Sequence, residues 1–310
     1  MNRFFRIMLG KAGVHAEDCY KGGFIGVDFN FGIDLTTELN KAEDWRQFNK
    51  ALIPIYLKNH PEKTKIAAGL SCGFTWTVTK GMEIADVVIC PKGEGKYYVG
   101  EISSEYQYVP GELLPHRRRV TWWKEILDKS QFSVELRNSM GSIGTVSNIS
   151  KYATELTAIL EGKSAPTLIA TDENVEDASV FALEKHLEDF LVANWASTEL
   201  SKSYDIYEEG GELVGQQFPT DTGPIDILAI SKDKKELLII ELKKGRVSDV
   251  VVGQIQRYMG FVTTELAEEN QKVKGIIIGL EDDLKLKRAL SVTQNIDFYK
   301  YQVSFKLFKS

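Results

Sequence analysis

Histidine and cysteine are scarce in this 310-residue chain, with four and three copies. Cys19, Cys72 and Cys90 are odd in number and widely spaced, which argues against a disulfide framework and shows no zinc-type spacing. A reducing compartment is the expectation. His15, His60, His116 and His186 are scattered, and no Ser/His/Asp or Cys/His arrangement can be argued from their spacing. No apolar run approaches the roughly 18–20 residues that cross a membrane. The opening Met-Asn-Arg-Phe-Phe-Arg has no apolar signal segment, so the cytoplasm is the simplest expected location. An excess of positive charge is missing as well: the net charge is −6. From residue 165 onward 17 Lys and Arg stand against 25 Asp and Glu, and the preceding residues hold 21 against 19. Phosphate contacts need Lys and Arg, so a chain of this balance is not a wholly basic nucleic-acid coat, and such contacts would come from local clusters. Gly22-Gly-Phe-Ile-Gly26 lacks the GxGxxG order of a dinucleotide site and reads as a turn before a strand.

What is present fits a folded protein: 43% hydrophobic and 26% charged residues, over a length that suits two domains. The polar stretch running from Gly162-Lys-Ser-Ala-Pro166 to Asp177 predicts the division, with residues 1–163 as one domain, 164–177 as linker and 178–310 as the second domain. In the first domain Phe4–Leu9 and Phe24–Phe29 read as strands, and Trp45–Lys58 and Lys65–Val78 have helical spacing. Ala85–Cys90, Tyr97–Ile102 and Arg118–Trp123 read as short strands between Gly and Pro, a pattern that suggests a small barrel. Thr154–Leu160 reads as a helix.

In the second domain Val180–Trp195 has an apolar helical face. Tyr204–Tyr207 and Leu213–Phe218 read as strands around a Glu208–Gly211 turn. Val273–Gly279, Leu284–Val292 and Ile296–Leu307 read as strand, helix and strand. The expected fold is α/β here (α+β over the whole chain), a mixed sheet flanked by helices.

The chemistry concentrates in Thr222-Gly-Pro-Ile-Asp226, followed fifteen residues after the aspartate by Glu241-Leu-Lys243. Ile225–Ser231 and Glu236–Lys243 are apolar runs around Lys232-Asp-Lys-Lys235 and read as a hairpin of largely buried strands. A loop centred between Asp233 and Lys234 sets Asp226 opposite Glu241. Opposed residues of antiparallel strands have Cβ atoms about 4.5–5.5 Å apart. Lys243, two residues beyond Glu241, points to the same face. Two neighbouring buried carboxylates cannot both ionise freely, and a hard cation such as Mg²⁺ removes that cost. It would polarise a phosphoryl oxygen and acidify a bound water, with Lys243 orienting the water or stabilising the developing charge. The competing reading is a buried Asp/Glu/Lys salt-bridge network. On the following helix, Val250–Leu266, Gln254 and Tyr258 share a face and could meet the phosphate or the attacking water; taken alone they read more readily as residues capping the core edge of an ordinary amphipathic helix.

The run Gly223-Pro-Ile-Asp226 … Glu241-Leu-Lys243 … Gln254-Ile-Gln-Arg-Tyr258 resembles the PD-(D/E)xK nuclease superfamily, and within it NucS/EndoMS-type and Mrr-like endonuclease domains. The resemblance covers roughly residues 175–310. It implies a restriction-endonuclease-like fold and Mg²⁺-dependent cleavage of DNA, with Mn²⁺ as a substitute. Asp226, Glu241 and the main-chain carbonyl of Leu242 would be metal ligands, Lys243 the catalytic lysine, and Gln254 and Tyr258 assistants. A leading-helix glutamate facing the metal is implied too, Glu184 in first place and Glu188 in reserve. This sequence separates the proline from Asp226 by Ile225, a departure the superfamily tolerates.

Residues 60–150, with Gly81–Val88, Tyr97–Ile102, Tyr106-Gln-Tyr108 and Pro115–Trp122, are similar to PUA/EVE-like barrels found before some Mrr-type nucleases. The implied role is nucleic-acid reading, with a flipped base in an aromatic pocket. On the residues' own terms, Trp76 and Tyr106 supply stacking faces and Arg117, Arg118 and Arg119 supply phosphate-directed charge. Lys244 and Arg246 do the same beside Lys243. Trp and Tyr in a small barrel are more often core.

The expected function is a metal-dependent DNA endonuclease, in restriction or defence. The alternatives are repair of mismatched or branched DNA, or an inert nuclease fold that only binds nucleic acid. RNA stays open as a substrate, and a homodimer is expected because a double-strand break usually needs two active sites.

Overall fold

In the computed structural model, described for residues 3–141, 144–162, 187–209, 212–245 and 247–301, the chain divides into two compact units, residues 1–169 and 170–310. The expected linker, 164–177, lies outside the described residues.

The N-terminal unit carries β1 (Phe4–Ile7), α1 (Ala16–Gly22), β2 (Phe24–Val27), α2 (Thr36–Lys41), α3 (Trp45–Asn59) and α4 (Lys65–Trp76). Then follow β3 (Val87–Gly93), β4 (Lys96–Ile102), β5 (Gln107–Tyr108), β6 (His116–Asp128), α5 (Val134–Met140), β7 (Val146–Asn148) and α6 (Ala153–Leu160). The described strands make one sheet in the order β2-β6-β4-β3-β1-β7, with β5 also on β6. Strand β6 is long enough to pair β2 and β5 through its first residues and β4 through the rest. One face of this sheet packs Ile7, Ile25, Val88 and Ile102; the other packs Val87, Ile89 and Val99 against Leu136 and Leu156 of α5 and α6. A third cluster, with Phe48, Leu52 and Cys72, joins α3 to α4.

The C-terminal unit begins, within the described residues, with α7 (187–193). It continues through β8 (Tyr204–Ile206), β9 (Glu208–Glu209), β10 (Glu212–Leu213), β11 (Gln216–Phe218), β12 (Ile225–Ser231) and β13 (Glu236–Leu242). After them come α8 (Val250–Phe261), β14 (Lys272–Gly279), α9 (Leu284–Ser291) and β15 (Ile296–Lys300). The sheet order is β11-β12-β13-β14-β15, and β8 shares with β11 the outer edge of β12. Pairs β11–β12 and β12–β13 are antiparallel, β13–β14 and β14–β15 parallel. This is the mixed sheet with helices that the apolar runs foreshadow.

Strand β13 is the innermost, and every one of its residues after Glu236 is buried. Runs of Ile and Leu without polar alternation belong in a strand covered on both faces. The hairpin turn closes on Lys234 in a left-handed conformation (φ 61°), with Ser231 and Asp233 accepting from the Lys235 N–H. The last predicted strand ends at Lys300; residues 302–310 lie outside the described part.

Candidate active site

The hairpin register places the acids. Ile227 pairs Ile240 and Leu228 pairs Ile239, so continuing the ladder one step sets Asp226 across from Glu241. The Asp226 carboxylate accepts at Oδ2 from the Leu242 N–H (2.7 Å) and at Oδ1 from Gln217 Nε2 (3.2 Å). Glu241 is 1% exposed. Its Oε1 accepts from Lys243 Nζ at 2.8 Å, and the Lys243 side chain keeps 29% of its surface open to solvent. Burial is the first cause that pushes the Asp226 carboxyl well above the ordinary aspartate range, and the neighbouring Glu241 charge is the second. The Leu242 N–H and Lys243 pull the other way and do not compensate. A carboxyl held this way favours whatever brings in positive charge.

Helix α8 supplies the second wall. It packs on β14 at Gly275, where a Cβ would stand 2.9 Å from Ile255 Cδ1 and from Met259 Sδ. That contact turns Gln254 and Tyr258 toward the acids. Tyr258 is buried and its hydroxyl accepts from Gln254 Nε2 at 3.3 Å. Burial raises the Tyr258 pKa, and the charges of Glu241 and Asp226 add to the rise. Gly223, three residues before Asp226, has φ 121° and lies so close that a Cβ there would be 3.2 Å from the Tyr258 hydroxyl. The turn into β12 therefore needs glycine for both conformation and space.

Helix α7 brings a third acid. Glu188 is 3% exposed and accepts from Gln216 Nε2 (2.6 Å) and from Gln217 Nε2. Its charge is among those acting on Asp226. Glu184, the first-ranked leading-helix acid, lies outside the described residues. Gln216 and Gln217 were not picked out by sequence reasoning. The available signal was their place one short loop before Asp226.

Asp226, Glu241, Lys243, Gln254 and Tyr258 thus come together, with Glu188 beside them. Among the described residues no group of three or more His, Cys, Asp and Glu side chains is arranged to hold a metal by itself. Two carboxylates remain compatible with Mg²⁺, which is usually bound through one or two carboxylates and keeps several waters.

The basic and aromatic residues expected to touch nucleic acid fare differently. Arg118 is 1% exposed and donates to the carbonyls of Ser104 (2.5 Å) and Met82 (2.9 Å), so a phosphate cannot reach it. Arg117 donates to the carbonyls of Leu113 and Leu114 and lies over the Phe24 ring at 4.0 Å. Trp76 packs against Phe48 with Lys80 over its ring. The Tyr106 hydroxyl bonds His116 Nδ1 (2.9 Å) and accepts from the Leu35 N–H (3.2 Å). Burial of Arg118 corrects its assignment to a reading surface, while Arg117, Trp76 and Tyr106 are half-buried and make these contacts within the N-terminal unit. Arg119 is exposed and Lys244 half-buried; Arg246 lies outside the described residues.

The C-terminal unit thus joins a mixed sheet, with two acids and a lysine on one hairpin, to a helix that carries Gln254 and Tyr258. Residues 196–302 match the family described as Endonuclease NucS C-terminal domain. Residues 5–150 match a domain of unknown function, DUF8426. The chain is 34% identical over 74 residues to Endonuclease NucS of Methanocaldococcus jannaschii, a stretch that takes in 24% of this chain and 27% of the relative. Similar solved structures include a repair endonuclease from Pyrococcus abyssi (13% identity, TM-score 0.30, covering 68% of this chain and 64% of that one). An EndoMS–dsDNA complex is another (14% identity, TM-score 0.32, 71% and 66%). The chain thus spans about a quarter of the curated relative's length and less than two thirds of the Pyrococcus abyssi chain's length.

Proposed function

We propose that the C-terminal unit is a divalent-cation-dependent DNA endonuclease of the PD-(D/E)xK type that hydrolyses phosphodiester bonds. The observation that carries this reading is the cross-strand pair Asp226/Glu241 with Lys243 Nζ 2.8 Å from Glu241 Oε1. The match of residues 196–302 to an endonuclease family supports it.

Asp226, Glu241 and the Leu242 carbonyl would hold Mg²⁺ or Mn²⁺. The bound ion supplies Lewis-acid polarisation of a phosphoryl oxygen and a more acidic water. Lys243 places its ammonium where negative charge develops on the phosphate. Tyr258 and Gln254, on the wall formed by α8, orient the scissile phosphate or the attacking water. Their hydroxyl and amide carry no net charge at neutral pH, so they position without competing for the cation.

The test is incubation of the full chain with plain, methylated, mismatched and branched DNA, and with RNA, in the presence of Mg²⁺ and then of excess EDTA. Cleavage of DNA that EDTA abolishes is expected. Preference for methylated DNA would assign restriction, and preference for mismatched or branched DNA would assign repair. Cleavage that survives EDTA would overturn the cation role. Binding without any cleavage under Mg²⁺ or Mn²⁺ would make the fold an inert binding module. The oligomeric state enters through the products: paired nicks on both strands from one encounter usually need two copies of the site.

A further inference from the structure

Strand β11 sits directly beside the aspartate. Gln216 pairs Ile227 and Phe218 pairs Ile225, so Gln217 falls across from Asp226, and a polar row runs Gln217–Asp226–Glu241 over three strands. Adjacent residues of a regular strand point to opposite faces. Gln217 departs from that rule with φ 51°, a left-handed conformation that a residue with a side chain holds only where its surroundings impose it. The consequence is that two successive glutamines reach one acid. Gln216 Nε2 donates to Glu188 Oε1 (2.6 Å) and to Asp189 Oδ1 (2.9 Å). Gln217 Nε2 donates to the other Glu188 oxygen and to Asp226 Oδ1 (3.2 Å). Each oxygen of Glu188 thus receives one amide N–H, and the Gln217 amide ties the helix acid to the strand acid.

The choice of amide is chemically pointed. A lysine or arginine in this place would neutralise the carboxylates and compete with a cation. An amide fixes the direction of a carboxylate and leaves its charge in place. Groups that orient metal-binding side chains in this way typically change metal affinity about 10- to 100-fold when removed.

We infer that Gln216 and Gln217 form an amide clamp that anchors on Glu188 and positions Asp226 for the cation, with Gln217 coupling α7 to the hairpin. Both are positioning residues. The inference rests on the reading of Asp226 and Glu241 as a divalent-cation site and adds to it the residues that set its affinity.

The experiment is calorimetric titration of the full chain with Mn²⁺ alone, without DNA, for the parent, Asp226→Ala, Gln217→Met and Gln217→Gly, alongside each protein's thermal midpoint. Gln217→Met keeps the bulk and removes the donor. Gln217→Gly removes the donor and also relieves the backbone, since glycine adopts positive φ readily. The parent is expected to bind Mn²⁺ and Asp226→Ala to lose it. Both Gln217 variants are expected to bind at least tenfold more weakly, and the glycine variant to do so without a lower midpoint. Gln217 variants that bind Mn²⁺ within twofold of the parent, whatever their midpoints, would overturn the clamp and leave the cation site standing. A parent that does not bind Mn²⁺, or an Asp226→Ala protein that binds it equally well, would instead remove the cation site and the clamp with it.

Discussion

The Lys243→Ala protein is expected to cleave DNA about 100- to 1,000-fold more slowly than the parent at saturating Mg²⁺, and to bind the same DNA with little change. The lysine stands just past the end of β13, its main-chain N–H donating to the Ile278 carbonyl at 2.8 Å. The backbone is therefore anchored, and truncating the side chain leaves β13 in place. What disappears is a positive charge 2.8 Å from Glu241 Oε1, on a side chain that is partly open to solvent. Such a charge acts most on the group whose charge grows during the reaction. A structural lysine that merely balanced Glu241 would behave differently: its removal would lower the melting midpoint and leave the rate constant of the folded protein unchanged. Single-turnover cleavage measured beside DNA binding separates the two outcomes. Asp226→Ala and Glu241→Ala are expected to lose still more, because they delete the oxygens that would hold the ion. Rates equal to the parent's for any of the three would refute the role assigned to that residue.

The second large effect concerns stability. In cation-free buffer at neutral pH, Asp226→Asn is expected to be more stable than the parent. Burial and the Glu241 charge hold the Asp226 carboxyl above its ordinary range in the folded protein. A carboxyl whose folded pKa exceeds its unfolded value takes up protons on folding, so its contribution is favourable at pH below the unfolded value, about 4, and is lost as pH rises through the folded value. Asparagine removes that loss. The advantage of Asp226→Asn should therefore vanish near pH 4 and below and grow toward neutrality. A gain on the order of 1 kcal/mol corresponds to a midpoint shift of about 4 °C for a unit of this size. Added Mn²⁺ should reverse the order, since an ion that binds only the folded parent raises its midpoint and finds fewer ligands in the variant. Thermal scans at pH 4 and pH 7.5, with and without Mn²⁺, test this. A variant less stable than the parent at pH 7.5 without cation would mean that Asp226 is a net stabilising member of a salt-bridge network.

How much of this was legible in the sequence varies from residue to residue, for physical reasons. The opposition of Asp226 and Glu241 was readable because a short polar run between two apolar strands fixes the centre of a hairpin, and the period of two then fixes every pair; the observed ladder follows that centre. Helix α8 was readable from its apolar spacing, and its close seat on β14 follows from Gly275. The role of Gln217 was not, because a positive φ at a residue other than glycine is imposed by tertiary contacts and leaves no mark in the local pattern.

The arginine run shows a misreading that the same periodicity could have prevented. Along β6, His116, Arg118 and Val120 are buried while Arg119 and Thr121 are exposed. Three successive arginines on a strand must send at least one inward, and here the middle one caps carbonyls around Met82 and Ser104. Trp76 and Tyr106 were ambiguous for a different reason: large aromatics serve cores and stacking surfaces alike, and only their neighbours decide. Here Trp76 meets Phe48 and Tyr106 meets His116, and both residues are half-buried.

The most direct measurement is a crystal of the full chain soaked in Mn²⁺, with the anomalous signal used to locate the ion. The expected result is a peak within coordinating distance of one Asp226 oxygen and one Glu241 oxygen, with the Lys243 ammonium close by. A well-ordered site with no peak there, and the two carboxylates turned away from each other, would contradict the claim that this hairpin grips a divalent ion.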